Sequence, residues 1–398
     1  MKILIINTDY PAFMNWLYAQ YYGLEHRSYE EQVAVRSESL FGVANFYSTN
    51  LRALGHEAEE VYANNQWMQK AWALEHREPV VEPSVGMLRQ AARFLRRAPA
   101  LAGSAPARWL KSCMQPLIQA NLRRESWWLY EVLAAQIRAY RPDVLLNQDL
   151  VGIESQFLRE MKPHMRLLVG QIASPLPEKN DFGVYDVIVS SLPNYVRYFR
   201  QQGVRSELNR LAFEPRVLQQ LSPRSPADEC FPVSFVGSLS PDHRARLQLL
   251  ELLCERFDIA VWGGSIDGLA HDTPIHRRHR GAAWGRHMYE VLQRSGMTVN
   301  HHINIAQSYA NNMRLFESTG VGTLLITDHK VNLPDLFEPG KEVVTYRRPE
   351  ECAEQIQYYL AHEAERKAIA SAGQARTLRD HTYHRRLQEF MGIVGRYL

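Results

Sequence analysis

Arg314 and Glu317 stand three residues apart, a spacing that places both on one face of a helix. A guanidinium can hold a diphosphate by two parallel hydrogen bonds. A carboxylate beside it can accept hydrogen bonds from sugar hydroxyls. The first amide hydrogens of a helix are unpaired and its dipole is positive there, so an anion is favoured at that end. Together these groups suit a sugar carried on a nucleoside diphosphate. The same spacing also describes an ordinary surface ion pair, and residue types alone leave both readings open.

The surrounding residues supply the elements that must hold this pair. Asn311 or Asn312 can cap a short helix, Gly320 ends it, and Leu324 to Thr327 reads as the next strand. Upstream, Val233 to Val236 reads as a strand followed by the tight turn Gly237-Ser238-Leu239. Ser240-Pro241-Asp242 then opens a helix, with apolar residues recurring at Leu247, Leu250, Leu253 and Phe257. Ile259 to Trp262 is a further strand, closed by Gly263-Gly264. The stretch from His271 to Arg280 reads as a loop. Its His276 and His279, with His287 beyond it, read as surface histidines.

A similar rhythm fills the first half of the chain. Lys2 to Asn7 is a buried parallel strand, a helix is expected over roughly 37–54, and a second strand spans Ala58 to Tyr62. A helix over 125–140, strands at 144–147, 167–172 and 187–190, and a helix from Pro193 to Gln202 follow. Pro and Ser punctuate Leu221 to Pro232, the natural connection between two αβ series. The expected divisions are therefore 1–220, a linker over 221–232, 233–382, and a final helix over 383–398. Ligands of such sheets bind beyond the carboxyl ends of the strands, which places a site between the domains.

Composition narrows the function. The 398 residues carry a net charge of +3, too mild for nucleic acid to be the expected partner. The four cysteines form no Cys-x-x-Cys pair, so neither a zinc site nor a disulfide framework is suggested. Four apolar residues after Lys2 are too few for a signal-peptide core, and no apolar stretch approaches about 20 residues. The expected location is the cytoplasm. Residues 79–126 carry eight Lys or Arg against two acids, interleaved with residues such as Phe94 and Trp109. That region reads either as a basic helical insertion touching an anionic inner membrane face or an acceptor, or as a solvated helical face.

The run from Asn300 to about Arg386 resembles the glycosyl transferases group 1 family, in its spore-maturation-protein-like (CgeB-like) branch. The resemblance rests on Asn300-His301-His302-Ile303, the stretch Ala310 to Gly322, Leu325-Ile326-Thr327-Asp328, Leu336 to Val343, and His381-Thr382-Tyr383 with Arg385-Arg386. Phe235 to Leu239 and, weakly, Pro142 to Asp149 extend it across most of the chain outside 79–126. It implies an α/β fold of two Rossmann-like domains with a cleft between them (GT-B), the C-terminal helix returning to the N-terminal domain. It also implies a transferase that moves a sugar from a nucleotide-diphosphate donor to a hydroxyl of a glycan, lipid-linked or protein acceptor. No cofactor is expected beyond the nucleotide sugar, and no metal, since such enzymes steady the leaving diphosphate with helix ends and cationic side chains.

Carried over residue by residue, Glu317 matches the carboxylate that binds the donor ribose. Tyr309 stands where the family places the first Glu of a Glu, seven residues, Glu pattern, which often contacts the transferred sugar; Glu317 matches the second. Gly237, Ser238, Trp262, Gly263, Asn300, His302, Tyr309, Asn312 and Arg314 complete the expected donor side, with Glu317 also a catalytic candidate. On the acceptor side stand Asp9, Tyr10, Gln148 and Asp149. If the enzyme inverts, Asp149 is the first candidate for the base and Asp9 and Tyr10 are alternatives. The rival readings are a nucleotide-sugar epimerase or sugar phosphorylase of the same architecture and a non-catalytic binding module. A DNA-modifying glucosyltransferase is disfavoured by the mild charge.

Overall fold

A computed structural model describes residues 1–80, 128–177, 180–223, 229–240, 243–264, 266, 268–269 and 272–398. The basic stretch read over 79–126 lies outside these residues beyond Val80, as do parts of the linker and Pro241-Asp242 of the expected helix start.

Among the described residues eleven strands build two sheets, and every strand pairing is parallel. The first holds β1 (Lys2–Asn7), β2 (Glu57–Tyr62), β3 (Val144–Asn147), β4 (Leu167–Gln171), β5 (Val187–Ser190) and β6 (Ser206–Leu208), in the order β2-β1-β3-β4-β5-β6. The second holds β7 (Phe231–Val236), β8 (Ile259–Trp262), β9 (Ser295–Asn300), β10 (Leu324–Asp328) and β11 (Val344–Tyr346), in the order β11-β10-β9-β7-β8. Read from the other edge, that is the same winding as the first sheet. In both, the direction of winding reverses between the first and third strands, and the crevice opened there is where doubly wound sheets bind ligands. The two crevices fall at the ends of β1 and β3 and of β7 and β9.

The apolar runs are continuous because both faces of each sheet are covered. Along β1, Ile3 and Ile5 face one core while Leu4 and Ile6 face another. Along the second sheet, Val233, Phe235, Met297 and Val299 pack into an outer core of the C-terminal half. The inner core is shared. It joins Ile3, Val144 and Val189 of the first sheet with Val236, Trp262 and Leu325 of the second. The halves are thus two Rossmann-like domains packed through one apolar interior.

The chain returns across that interior at its end. Phe213 and the residues flanking Thr382 pair backbone to backbone (Phe213 N to His381 O, 2.8 Å; Tyr383 N to Phe213 O, 2.9 Å). The final helix, Tyr383–Tyr397, then buries Leu387, Phe390 and Val394 in the shared core. Tyr397 Oη donates to Glu207 of β6 at 2.8 Å, as expected for a helix that rejoins the N-terminal domain.

One expected helix is two. The residues read as a single helix over 37–54 form Tyr29–Glu38, opened by a Ser28–Glu31 capping box, and Phe46–Ala53. Between them Leu40, Gly42 and Ala44 adopt positive φ, which no α-helix tolerates. The break lets Ser39 meet the C-terminal domain, where Arg286 N donates to Ser39 O at 2.7 Å. Gly285 is needed there: its φ is +51°, and a Cβ would lie 1.9 Å from Ser39 O. Among the described residues no helix is long and apolar enough to cross a membrane.

Candidate active site

At the β7/β9 crevice the turn after β7 is built for close approach. Gly237 N donates to Trp262 O at 3.0 Å, and a Cβ on Gly263 would sit 2.7 Å from Gly237 O. Ser238 is exposed on this turn, and its hydroxyl accepts from Ser240 N at 3.3 Å. Trp262 itself is buried, edge-on to Phe231 with ring centres 4.8 Å apart, so its ring packs the interior.

The short helix Arg314–Gly320 points its first turn at this crevice. Asn312 Oδ1 accepts from Leu315 N at 3.2 Å, the cap expected from the sequence, while Asn312 Nδ2 donates to Asn300 Oδ1 at 2.6 Å. Asn300 Nδ2 in turn donates to Thr327 Oγ1 at 2.9 Å. This chain of amides ties the ends of β9 and β10 to the helix start. Arg314 reaches back to β7, donating from Nε to Val236 O at 3.1 Å, and its Nη1 lies 2.9 Å from Glu317 Oε2. Burial raises the Glu317 carboxyl above its ordinary range, and the Arg314 charge works in the opposite direction. The pair is therefore no exposed ornament: Glu317 is a buried carboxyl whose charged form is favoured by the adjacent Arg314.

His302 stands at the end of β9. Its Nδ1 lies 2.6 Å from Asp328 Oδ1, which also accepts from His302 N at 3.0 Å, and Lys330 Nζ is 3.2 Å from Asp328 Oδ2. Burial alone would raise the Asp328 carboxyl. The His302 hydrogen bond and charge, with His301 and Lys330, outweigh it and hold the group well below the usual carboxylate range. Arg246 was not singled out by sequence. It is buried in the helix Arg244–Arg256 and clips the two crevice loops together, donating to Ser238 O at 3.0 Å and to His301 O at 2.8 Å. The available signal was an arginine on the same helical stripe as Leu249, Leu250 and Leu253.

Tyr309 faces the other domain. Its hydroxyl accepts from Arg197 Nη2 at 3.1 Å, and nearby Asn194 Nδ2 donates to Ile305 O at 3.1 Å. The loop after β9 therefore docks on the helix Pro193–Gln201, and Ala306 enters the core of the N-terminal domain.

The β1/β3 crevice is wired differently. Asp9 is buried and bidentate with buried Arg36 (Oδ1 to Nη2, 2.5 Å; Oδ2 to Nε, 3.2 Å), whose guanidinium lies 4.1 Å from the Tyr62 ring centre. Asp149 accepts from Thr8 Oγ1 at 2.7 Å, Val151 N at 3.0 Å and Gly152 N at 2.7 Å. Three donors make it the turn that joins β1 to β3, and this geometry speaks against its serving as a free base. Gln148 Nε2 donates to Gln171 Oε1 at 3.0 Å, and Gln171 Nε2 to Tyr47 Oη at 2.8 Å. Tyr10 is exposed beside Phe41.

Two like-wound Rossmann domains, a shared core and a returning terminal helix decide the architecture. The fold is GT-B. A family model described as glycosyl transferase-like matches residues 244–392, the part of the GT-B frame that carries the β7/β9 crevice helix. Sequence comparison with curated proteins gives no match. Solved structures that match over nearly the whole chain share this frame at low identity. The Anabaena protein HepE, crystallised with UDP and glucose, gives a TM-score of 0.58 at 13% identity, covering 99% of each chain. Sucrose-phosphate synthase of Thermosynechococcus elongatus gives 0.55 at 14%, covering 100% of this chain and 98% of the other. AviGT4, a glycosyltransferase of avilamycin A biosynthesis, gives 0.52 at 13%, covering 100% and 97%. At such identities the likeness is one of GT-B architecture.

Proposed function

We propose that the protein is a glycosyltransferase that takes a sugar from a nucleotide-diphosphate donor and attaches it to an acceptor hydroxyl. The observation that carries this reading is the pair of half-buried Arg314 and buried Glu317 on a capped helix at the β7/β9 crevice. In this reading Glu317 receives the ribose hydroxyls. Arg314 and the amides opening the helix then face the diphosphate, whose departing charge they stabilise without a bound metal. The glycosyl transferase-like match over 244–392 and the UDP complex of a GT-B neighbour support it. The motif run from Asn300 to Arg386 favours the CgeB-like branch and a hexose as the transferred sugar.

The test is a thermal-shift panel of UDP, GDP, dTDP and CMP sugars on the native protein and on Glu317→Ala. A ligand that binds only the folded state raises the melting temperature by mass action. One class of nucleotide should stabilise the native protein. The variant should bind it about 10- to 100-fold more weakly, the loss expected when hydrogen bonds to a charged group are removed. Unchanged affinity in the variant would remove Glu317 from the site.

A further inference from the structure

A second cavity lies between the domains, on the side of the β9 loop that meets β5 and β6. Its volume is about 210 Å³. A cavity of about 150 Å³ accepts benzene, so this one has room for a single six-membered ring with substituents. It falls short of the roughly 300–1,000 Å³ of a drug-sized site. The N-terminal domain contributes Ser191 and Arg210, and the C-terminal domain contributes Tyr309, Asn311 and Phe316.

Its polar lining is not fully satisfied. Ser191 and Asn311 are each 8% exposed. Among the described residues the buried Ser191 hydroxyl has no hydrogen-bond partner. Buried polar side chains without partners are uncommon because each forfeits its hydration. One such hydroxyl at a ring-sized space, with Asn311 of the other domain also in the lining, indicates that something polar completes it. The charge has a sign. Arg210, half-buried in the lining, has no carboxylate partner among the described residues, and neither has Arg197, held at the mouth by the Tyr309 hydroxyl. One carboxylate, Asp335, lies in the lining on an exposed turn. Tyr309 and Phe316 add ring faces suited to the apolar side of a sugar.

We infer that this cavity binds a single sugar ring bearing an anionic group, a carboxylate or a phosphate, which Arg210 pairs while Ser191 and Asn311 bond its hydroxyls. The inference rests on the glycosyltransferase reading for the meaning of the ring. It explains why a phenol replaces the family's carboxylate at position 309: an acid there would repel the ligand's charge. The anion can arrive on the transferred sugar or on the acceptor, and the two sources are separable.

Calorimetry with UDP-glucuronate against UDP-glucose tests the first source. Methyl glucuronide against methyl glucoside, each with and without UDP, tests the second. The charged member of at least one pair should bind about tenfold more tightly, the scale of one charge-assisted contact. Arg210→Gln should erase that preference, Arg210→Lys should retain most of it, and Ser191→Ala should weaken both members alike. A preference confined to the nucleotide sugars assigns the cavity to the transferred sugar, and one confined to the methyl glycosides assigns it to the acceptor. Equal affinity within both pairs, absence of binding by all four ligands, or a preference that survives Arg210→Gln overturns the inference. Binding of UDP without charge preference would leave the donor reading intact while ending this one. Charge-selective binding of the glycosides without any binding of UDP would do the reverse.

Discussion

The two crevices are wound alike and equipped in opposite ways. At the end of β1 and β3, Asp9 is locked to Arg36 and Asp149 is held by three donors. At the end of β7 and β9, Glu317 has one cationic partner, Arg314. Strand order therefore says where a ligand could bind, while the local hydrogen-bond inventory says which crevice has groups to offer it. In the N-terminal domain the acids that looked chemical serve as architecture. In the C-terminal domain the acid that looked like a helix decoration is buried and paired with Arg314 alone among the described residues.

The largest expected effect breaks the architectural half of this contrast. Arg36→Ala leaves Asp9 buried without its cationic partner, and removing one partner of such a pair costs about 3–5 kcal/mol. Denaturant unfolding should show that loss. A loss below about 1 kcal/mol would mean the Asp9 pair is not structural.

Next comes acid, which should act with opposite signs on the buried His381 and on the buried carboxyls Glu60 and Glu317. Burial draws the His381 imidazole down to about 4, so the unfolded chain takes up its proton first as pH falls. Its contribution is complete above about 6.5, the ordinary histidine value, and is lost by about pH 4. That loss is on the order of 3 kcal/mol as an upper bound. Asp328, held low, adds a loss only under still more acid conditions. Glu60 in the N-terminal domain goes the other way: burial raises its carboxyl, so protonation there relieves the folded state. Hydrogen exchange between pH 7 and 4 should therefore open the hinge around His381 before the first sheet. Earlier opening of the first sheet would contradict the assignment.

The Glu317→Ala variant sharpens the functional half, with donor affinity falling by about 1.5–3 kcal/mol and far less change in unfolding free energy. The smallest effect belongs to Asp149→Asn. An amide of the same shape keeps the turn but weakens its accepted bonds, so about 1 kcal/mol of stability should be lost. Turnover, measured as sugar transfer, should fall less than tenfold. A thousandfold fall would restore Asp149 as the base.

Much of the frame was legible beforehand for a simple reason. Strands covered on both faces are continuous apolar runs, and Ile3 to Ile6, Val144 to Leu146 and Val233 to Val236 each announce themselves. The broken helix at 39–45 was not, because its interruption rests on positive φ at Leu40 and Ala44, residues whose types give no warning. The domain contact at Ser39 and Gly285 selects that backbone, and the contact is distant in sequence.

The candidate site divides the same way. Sequence by itself determined two parallel αβ halves, the short helix that presents Arg314 and Glu317, and an asparagine cap at 311 or 312, because these depend on residues within a few turns of one another. Only the tertiary structure decided which side chains are free. Asp149 meets Thr8 at 2.7 Å across 141 residues, Tyr309 meets Arg197 across 112, and Ser191 and Asn311 share a cavity from opposite domains. A side chain's chemistry is set by its hydrogen-bond partners and its burial. For groups at the ends of parallel strands those partners come from wherever the sheet order brings the chain, which no local pattern records.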